Sequence, residues 1–278
     1  MESVFKMRAS FGRQFVVGIA AIILTIGPAN LSQAGNLLVT NGNFTDFTGG
    51  YKGAPSQLAN PSQNGTGYTT VTGWTVTDGT YGFLMGSGTA DTTGAYSPQY
   101  SNTFNLWGPG TGGGSVNNGL TPSSPDGGNY LALDGGSSYR GGGISQTITG
   151  LTAGTNYDVT FYWAGAQQQG PNFNGATTEQ VQVSFGSQVQ STAVVNNANH
   201  GFTGWVEERF TFKADSTSDV LNFLAIGTPN GVPPFVLLDG VSVDLHPVPE
   251  PGTLALSALG ALGLFVVRAR RRATRNVA

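Results

Sequence analysis

The sequence contains no cysteine and few residues suited to catalysis. Of its 278 residues none is Cys, only 10% are charged, and the histidines are His200 and His246 alone. Without thiols the chain has no disulfides, so it must fold around a hydrophobic core of adequate size, which about 210 residues can supply. Neither histidine stands at a spacing typical of a zinc site, and no Gly-x-Ser-x-Gly motif accompanies them.

Basic residues are scarce between the two ends of the chain. Residues 35–248 contain thirteen acidic residues and only four basic ones, Lys52, Arg140, Arg209 and Lys213. Their net charge is therefore roughly −9. Nucleic-acid binding depends on neutralising phosphates, so this composition argues against it. Neutral sugars or a divalent cation are more compatible partners.

Helical periodicity is also lacking in residues 35–247. Gly (43 residues), Thr, Ser and Asn are abundant, which is typical of short strands joined by many turns. Val159, Phe161 and Trp163 alternate with other residues, which predicts a strand with one buried face. We predict an all-β fold, an antiparallel β-sandwich. The predicted strands are 37–39, 74–77, 130–133, 144–148, 157–164, 180–185, 188–195, 206–213, 220–226 and 235–245.

Two Gly-rich segments interrupt this pattern, residues 49–67 and 86–128. Structureless loops of such length are uncommon in a compact domain and are usually functional or disordered. Within the second segment, we expect residues 96–107 to form an ordered insertion.

The N-terminal residues 1–34 have the features of a signal peptide. A basic stretch is followed by an apolar run, residues 15–26, and by the small-x-small sequence Ser32-Gln33-Ala34. These features predict export through the Sec translocon and cleavage between Ala34 and Gly35. The alternative is a permanent N-terminal anchor, which the short apolar run and the cleavage site disfavour.

The C-terminal residues 248–278 have the features of a membrane-spanning segment. Pro249, Glu250 and Pro251 precede an uncharged apolar run, residues 252–267, and an Arg-rich tail, residues 268–275. The run predicts a transmembrane helix, and the arginines predict a cytoplasmic stop-transfer flank. The alternative is a helix of the folded core. The flanking arginines are Arg268, Arg270, Arg271 and Arg272.

This tripartite tail resembles the PEP-CTERM sorting signal of proteins processed by exosortase, a membrane-embedded cysteine protease of Gram-negative bacteria. The resemblance implies that Pro249, Glu250 and Pro251 form the recognition motif. It also implies a precursor anchored in the inner membrane, followed by transfer to the cell surface or the exopolysaccharide matrix. The ectodomain would then be residues 35–247.

Short phrases in the ectodomain resemble galactose-binding-like jelly rolls, which include carbohydrate-binding modules. The phrases are Asn36–Phe44, Gly73–Val76, Asn129–Gly135, Gln146–Ile148 and Phe235–Val241. The resemblance implies a jelly roll in which the first and last strands are neighbours.

The same resemblance implies a structural calcium site where these strands meet, with Asn43, Asp46 and Asp239 as candidate ligands. Thr45 stands where many relatives have Glu, and it is a weak substitute for a carboxylate. The alternative role of Asp239 is to accept backbone hydrogen bonds in its Asp-Gly turn.

Sugar binding needs exposed aromatic faces next to amide side chains. Aromatic residues in polar, Gly-rich surroundings and the glutamines after a predicted strand fit this description. The candidates are Tyr96, Tyr100, Trp107, Tyr139, Gln167 and Gln169, with Gln168, Asn172 and Asn174 nearby. Trp163 is predicted to be a core residue, and Trp74 and Trp205 core or rim residues.

A catalytic role is disfavoured. Glycoside hydrolysis normally needs two facing carboxylates about 5 to 9.5 Å apart. Glu207 and Glu208 are adjacent, so on a strand they point to opposite faces. The sequence therefore predicts a non-catalytic surface or matrix protein that binds carbohydrate. The alternatives are a matrix protein that self-associates through open sheet edges and, less favoured, a hydrolase acting on glycans.

Overall fold

The computed structural model describes residues 38–110, 115–136 and 142–247, together with residues 257, 259–265, 267 and 268. Its strands range from two to twelve residues. They are β1 (Phe47–Gly49), β2 (Thr69–Val71), β3 (Thr75–Val76), β4 (Gly82–Met85), β5 (Ala95–Ser97), β6 (Asn102–Phe104), β7 (Tyr130–Asp134), β8 (Gly143–Thr149), β9 (Asn156–Gln167), β10 (Thr177–Phe185), β11 (Gln188–Ser191), β12 (Val195–Asn197), β13 (Val206–Lys213), β14 (Ser218–Thr228) and β15 (Pro234–Leu245).

Two antiparallel sheets form the sandwich. The front sheet has the order β13-β9-β15-β7-β4, and the back sheet has the order β11-β10-β14-β8-β3, with β12 also paired to β10. From β7 onward, successive strands of five or more residues alternate between the two sheets. This alternation is the connectivity of a jelly roll. The predicted fold class is therefore confirmed.

The sandwich core lies between the sheets. Val181, Val183 and Phe185 of β10 are buried in it, while the residues between them are half-buried on the other face. From the front sheet, Phe161 and Trp163 of β9 enter the same core, as the sequence predicts. Burying side chains of this size stabilises the fold by roughly 1.5 to 3 kcal/mol each.

The front sheet is also covered on its outer face. Leu131 of β7 faces the sandwich core, whereas its neighbours Tyr130 and Ala132 belong to a second apolar cluster. In this outer cluster the rings of Phe83 and Phe104 stack with their centroids 3.9 Å apart. The Gly-rich segment 86–128 supplies much of the cover through Ala90, Ala95, Phe104, Leu106 and Leu120.

The chain enters the sandwich beside its last strand. Val241 N donates a hydrogen bond of 3.0 Å to Gly42 O. A Cβ atom at residue 42 would lie 2.0 Å from Val241 O, so this close approach requires glycine. The first and last segments are therefore adjacent, as expected. Residues 38 and 39, however, do not form the strand predicted at 37–39.

The targeting ends lie largely outside the described residues. These ends include the predicted signal peptide, residues 1–34, the motif Pro249–Pro251 and the arginines after Arg268. Residues 257, 259–265, 267 and 268 are helical and exposed. No helix within the described part of the chain is long and apolar enough to cross a membrane. The transmembrane helix at 252–267 stays a prediction.

Candidate functional site

An amide-lined cavity of about 460 Å³ opens between the β5–β6 hairpin, the segment after β9 and the segment before β15. We call it the Tyr100 cavity. Its lining residues, as far as the structure describes the chain, have no charged side chain. They are Tyr81, Ser97, Tyr100, Asn102, Thr103, Phe104, Asn105, Gln168, Gln169, Gly170, Pro171, Phe173, Asn230, Gly231 and Pro233.

Tyr100 presents an aromatic ring at this cavity. It lies in the turn of the β5–β6 hairpin, where its backbone N donates to Ser97 O at 3.1 Å and Ser101 adopts the left-handed conformation with φ of 53°. Its ring meets Tyr81 edge-on, with centroids 6.1 Å apart and an interplanar angle of 75°. Because the contact is edge-on and Tyr100 is 51% exposed, much of the ring remains open to a ligand.

The opposite wall is formed by the segment after β9. Phe173 is half-buried there, and a Cβ atom at Gly170 would lie 2.5 Å from the Phe173 ring, so a larger residue at this position would displace the ring. Gln169 N donates to Asn105 O at 2.8 Å, and Asn105 Nδ2 donates to Gln169 Oε1 at 3.4 Å. These bonds hold the two walls at a fixed separation.

The polar lining consists mainly of carboxamides. Asn102 and Asn230 are exposed, and Gln168 is half-buried. Each carboxamide offers both donors and an acceptor, which suits hydroxyl groups that also donate and accept. Among the described residues that line the Tyr100 cavity there is no carboxylate, so the cavity lacks the paired acids of a glycosidase.

A second cavity, of about 280 Å³, lies on the other side of the hairpin. We call it the Tyr51 cavity. The rings of Tyr51 and Tyr96 stack in its wall with centroids 3.8 Å apart, and Lys52 Nζ lies 5.2 Å from the Tyr51 centroid. Thr103 lines both this cavity and the Tyr100 cavity.

A third cavity, of about 520 Å³, lies beside the loop after β12, and we call it the His200 cavity. His200 covers the indole of Trp107, with ring centroids 3.7 Å apart and an interplanar angle of 22°. Trp107 is only 9% exposed for that reason. The cavity is lined by Val116, Asn117, Asn118, Asn196, Asn197, Ala198, Asn199, His200, Gly201, Phe202 and Thr203.

The structure distributes the six predicted sugar-binding residues over different places. Tyr100 and Gln169 share the Tyr100 cavity, whereas Tyr96 lines the Tyr51 cavity. Trp107 and Gln167 are buried, so neither offers a free face to a ligand. Tyr139 lies outside the described residues.

Gln167 has a supporting role in the interior. Its Nε2 donates to Gly175 O at 3.1 Å and to Thr177 Oγ1 at 2.8 Å, and its Oε1 accepts a hydrogen bond of 2.6 Å from His200 N. The cavity residues that sequence analysis missed are Phe173, Asn102, Asn105 and Asn230. For Phe173 a signal existed, because it stands between the nearby Asn172 and Asn174.

The candidate calcium ligands are dispersed. Asp239 is fully buried, where Ser124 Oγ donates to its Oδ2, and burial raises the pKa of its carboxyl to about 7. Asn43 lines a separate cavity of about 280 Å³ with Asp126. Asp46 is exposed, and its backbone N donates to Asn41 Oδ1 at 3.0 Å. The described residues contain no cluster of three His, Asp or Glu suited to a metal ion.

The adjacent acids of β13 are arranged as the sequence predicts. Glu207 pairs with Tyr162 and Glu208 with Phe161 across the β13–β9 ladder, so the two side chains point to opposite faces. Glu207 is exposed and Glu208 half-buried. They do not form a pair that could act on one bond.

The fold and its cavities define an all-β jelly-roll sandwich with a site whose described lining consists of aromatic, amide and other uncharged residues. Residues 111–241 match a family described as protein of unknown function DUF642. Residues 247–272 match the PEP-CTERM protein-sorting motif. The chain therefore carries a PEP-CTERM sorting motif, as its tail predicts.

Further comparisons link the chain to one curated relative and to several solved structures. Over 232 residues it is 27% identical to Halomucin of Haloquadratum walsbyi, an alignment that covers 82% of this chain and 2% of that protein. The CBM22-1 xylan-binding domain from Paenibacillus barcinonensis is 13% identical with a TM-score of 0.36, covering 78% of this chain and 98% of that one. TmCBM61, solved in complex with beta-1,4-galactotriose, is 16% identical with a TM-score of 0.29, covering 43% and 72%.

Proposed function

We propose that this protein is exported, sorted by exosortase, and binds an uncharged carbohydrate at the cell surface or in the exopolysaccharide matrix without catalysing a reaction. The observation that carries the binding role is the Tyr100 cavity, in which a half-exposed tyrosine ring lies among amide side chains. Pyranose rings offer apolar C–H faces that stack on aromatic rings. Their hydroxyl groups pair with carboxamides.

The charge of the molecule supports an uncharged ligand. The described lining residues of the Tyr100 cavity include no basic side chain with which to pair a carboxylate or sulfate. Residues 35–248 carry thirteen acidic residues against four basic ones, so the domain as a whole repels polyanions. Two of the basic residues are engaged elsewhere, since Arg209 lies 3.5 Å from Asp158 and Lys52 lies over the Tyr51 ring.

The sorting role rests on the motif match and on the order of the tail. Residues 247–272 match the sorting motif, and the tail contains Pro249-Glu250-Pro251, an apolar run and an arginine cluster. Exosortase and the Sec translocon are the partners that this order implies. We infer that the inner-membrane precursor is processed near the motif.

The first experiment measures binding of the purified full chain to immobilised neutral and acidic polysaccharides, with calcium and with a chelator. We expect saturable binding to a neutral polysaccharide. In a Tyr100→Ala variant we expect the affinity to fall about 10-fold, which corresponds to about 1.4 kcal/mol for one lost stacking contact.

The matched control is Leu245→Ala, because Leu245 is 49% exposed, close to the 51% of Tyr100, and lies at the end of β15 away from the cavity lining. It should bind as the wild type does. An absence of binding to every polysaccharide in both buffers would refute the binding role. A loss of binding in the chelator would show that binding requires a divalent cation.

A further inference from the structure

The Tyr100 cavity has a neighbour on each side. On one side the β5–β6 hairpin separates it from the Tyr51 cavity, and Thr103 of that hairpin lines both. On the other side the segment after β9 separates it from the His200 cavity. Phe173 of this segment lines the Tyr100 cavity, while the next residue, Asn174, has its Oδ1 2.8 Å from His200 Nε2.

The partitions between the cavities are held by hydrogen bonds. Gly175 N donates to Asn199 Oδ1 at 2.6 Å, which ties the segment after β9 to the loop that carries His200. On the hairpin side, Ser97 Oγ donates to Gln57 Oε1 at 3.0 Å, and Gln57 is fully buried. These hydrogen bonds fix the segments that separate the three cavities.

The three cavities also share one chemistry. The Tyr51 cavity is lined by threonines and tyrosines, and the His200 cavity by asparagines and a phenylalanine. Within the described ranges, no carboxylate, lysine or arginine lines any of the three. Two of the volumes, about 460 and 520 Å³, lie in the lower part of the range of about 300 to 1,000 Å³ that is typical of small-ligand sites, and the third, about 280 Å³, lies just below it. Each has room for only a short piece of a glycan.

We propose that the Tyr51, Tyr100 and His200 cavities are consecutive subsites for one polysaccharide chain, and that the protein binds an internal stretch of that chain rather than a single terminal sugar. This inference rests on the proposed function of the Tyr100 cavity. Once one subsite is filled, contacts with the next are intramolecular, so affinity rises with chain length until all subsites are occupied.

The test is a length series with the full chain. The probes are cello-, xylo-, manno- and laminari-oligosaccharides of two, three and six sugar units, measured by calorimetry. We expect a hexasaccharide of at least one series to bind 10-fold or more tightly than its trisaccharide. Equal affinity of trisaccharide and hexasaccharide in every series that binds would overturn the inference.

A junction variant tests the order of the subsites. Thr103→Trp places a large ring at the exposed residue shared by two cavities. We expect it to weaken hexasaccharide binding more than trisaccharide binding, so that most of the hexasaccharide advantage is lost. Thr70→Trp is the matched control, because Thr70 is likewise the exposed middle residue of a three-residue strand and does not line these cavities.

A second variant, in the His200 cavity, tests the inference even if Thr103→Trp does not fold. Asn196→Ala changes an exposed residue of the His200 cavity. It should weaken hexasaccharide binding about 3-fold or more, and more than it weakens trisaccharide binding. If no oligosaccharide and no polysaccharide binds, the proposed function itself fails. If binding occurs but both variants keep the full length dependence, only the subsite inference fails.

Discussion

Three carboxyl groups are buried in the sandwich, and burial disfavours their charged forms. Asp134, Glu179 and Asp239 are at most 1% exposed, and burial raises the pKa of each to about 7. Hydrogen bonds to the charged form oppose this shift, such as the one from Gly136 N to Asp134 Oδ1. Because burial is the larger effect, each group is held mainly as the neutral acid below pH 7.

Glu179 gives the clearest consequence for stability. Its ordinary pKa is 4.5, so between about pH 4.5 and 7 the folded state holds a proton that the unfolded state has lost. The free energy of unfolding therefore falls as the pH rises through this window. Glu179→Gln keeps the shape of the side chain and cannot ionise.

We expect Glu179→Gln to flatten this decline, with a relative gain of about 1 to 3 kcal/mol between pH 4.5 and pH 7.5. Urea unfolding at a series of pH values measures it. Glu207→Gln, which changes an exposed carboxylate, is the matched control. An unchanged pH profile in Glu179→Gln would show that this carboxyl is not responsible.

The environment of a single residue was predictable where the residues next to it in the sequence determine that environment. Trp163 is core as predicted, and Tyr157 OH accepts a hydrogen bond of 2.9 Å from Thr152 N, as in a tyrosine corner. Trp107 was not predictable in the same way. Its partner His200 is distant in the sequence, and only the fold brings the ring over the indole.

At the scale of strands, length and one-sided burial decided what the sequence revealed. β13 has the predicted bounds, Val206–Lys213, and most other long strands differ by a few residues at their ends. The strands β1, β2, β5 and β6 have only three residues, too few to show a period of two. All four residues of β4, Gly82–Met85, are buried, so no alternation marks it.

The edges of the front sheet bear on the alternative of a self-associating matrix protein. At the β13 edge, Gln188 Nε2 donates to Lys213 O at 2.5 Å and Gln190 Nε2 donates to Thr211 O at 2.8 Å. At the β4 edge, Leu58 N donates to Gly82 O at 2.9 Å. These contacts occupy backbone groups that another chain would need for strand pairing.

We expect a Gln188→Ala/Gln190→Ala double variant to self-associate more strongly than the wild type, because it uncovers two carbonyl groups of β13. Sedimentation velocity at increasing protein concentration measures the change. Gln188 and Gln190 lie on β11. The control is Gln182→Ala, because Gln182 is a half-buried glutamine on β10, the strand that pairs with β11. If the wild type already assembles through its sheet edges and the double variant assembles equally, the result would favour the alternative of a self-associating matrix protein.

At the scale of the whole molecule, the insertion decides where a ligand can bind. Residues of the segment 86–128 cover the outer face of the front sheet, so the Tyr100 cavity lies at the margin of this cover. Its walls come from the β5–β6 hairpin, the end of β9 and the start of β15. Sequence analysis predicted sugar-binding residues in the hairpin and at the end of β9. It could not show that these two segments lie next to the start of β15.

The last strand of the sandwich ends just before the matched sorting motif. β15 ends at Leu245, and the next residue is fixed to β9 because His246 N donates to Asn156 O at 3.0 Å and its Nδ1 lies 2.8 Å from Asp158 Oδ1. The matched sorting motif starts at Pro247. Folding and ligand binding should therefore be independent of the motif that directs processing.

Glu250→Gln tests this separation in a host that has an exosortase. We expect the full-length variant to accumulate unprocessed in the membrane fraction, because the recognition motif has lost its carboxylate, while sugar binding by the extracted protein equals that of the wild type. Mass spectrometry and fractionation measure processing. Asp244→Asn, which changes an exposed carboxylate in β15, should be processed normally. Normal processing and release of Glu250→Gln would contradict the role of this motif in sorting.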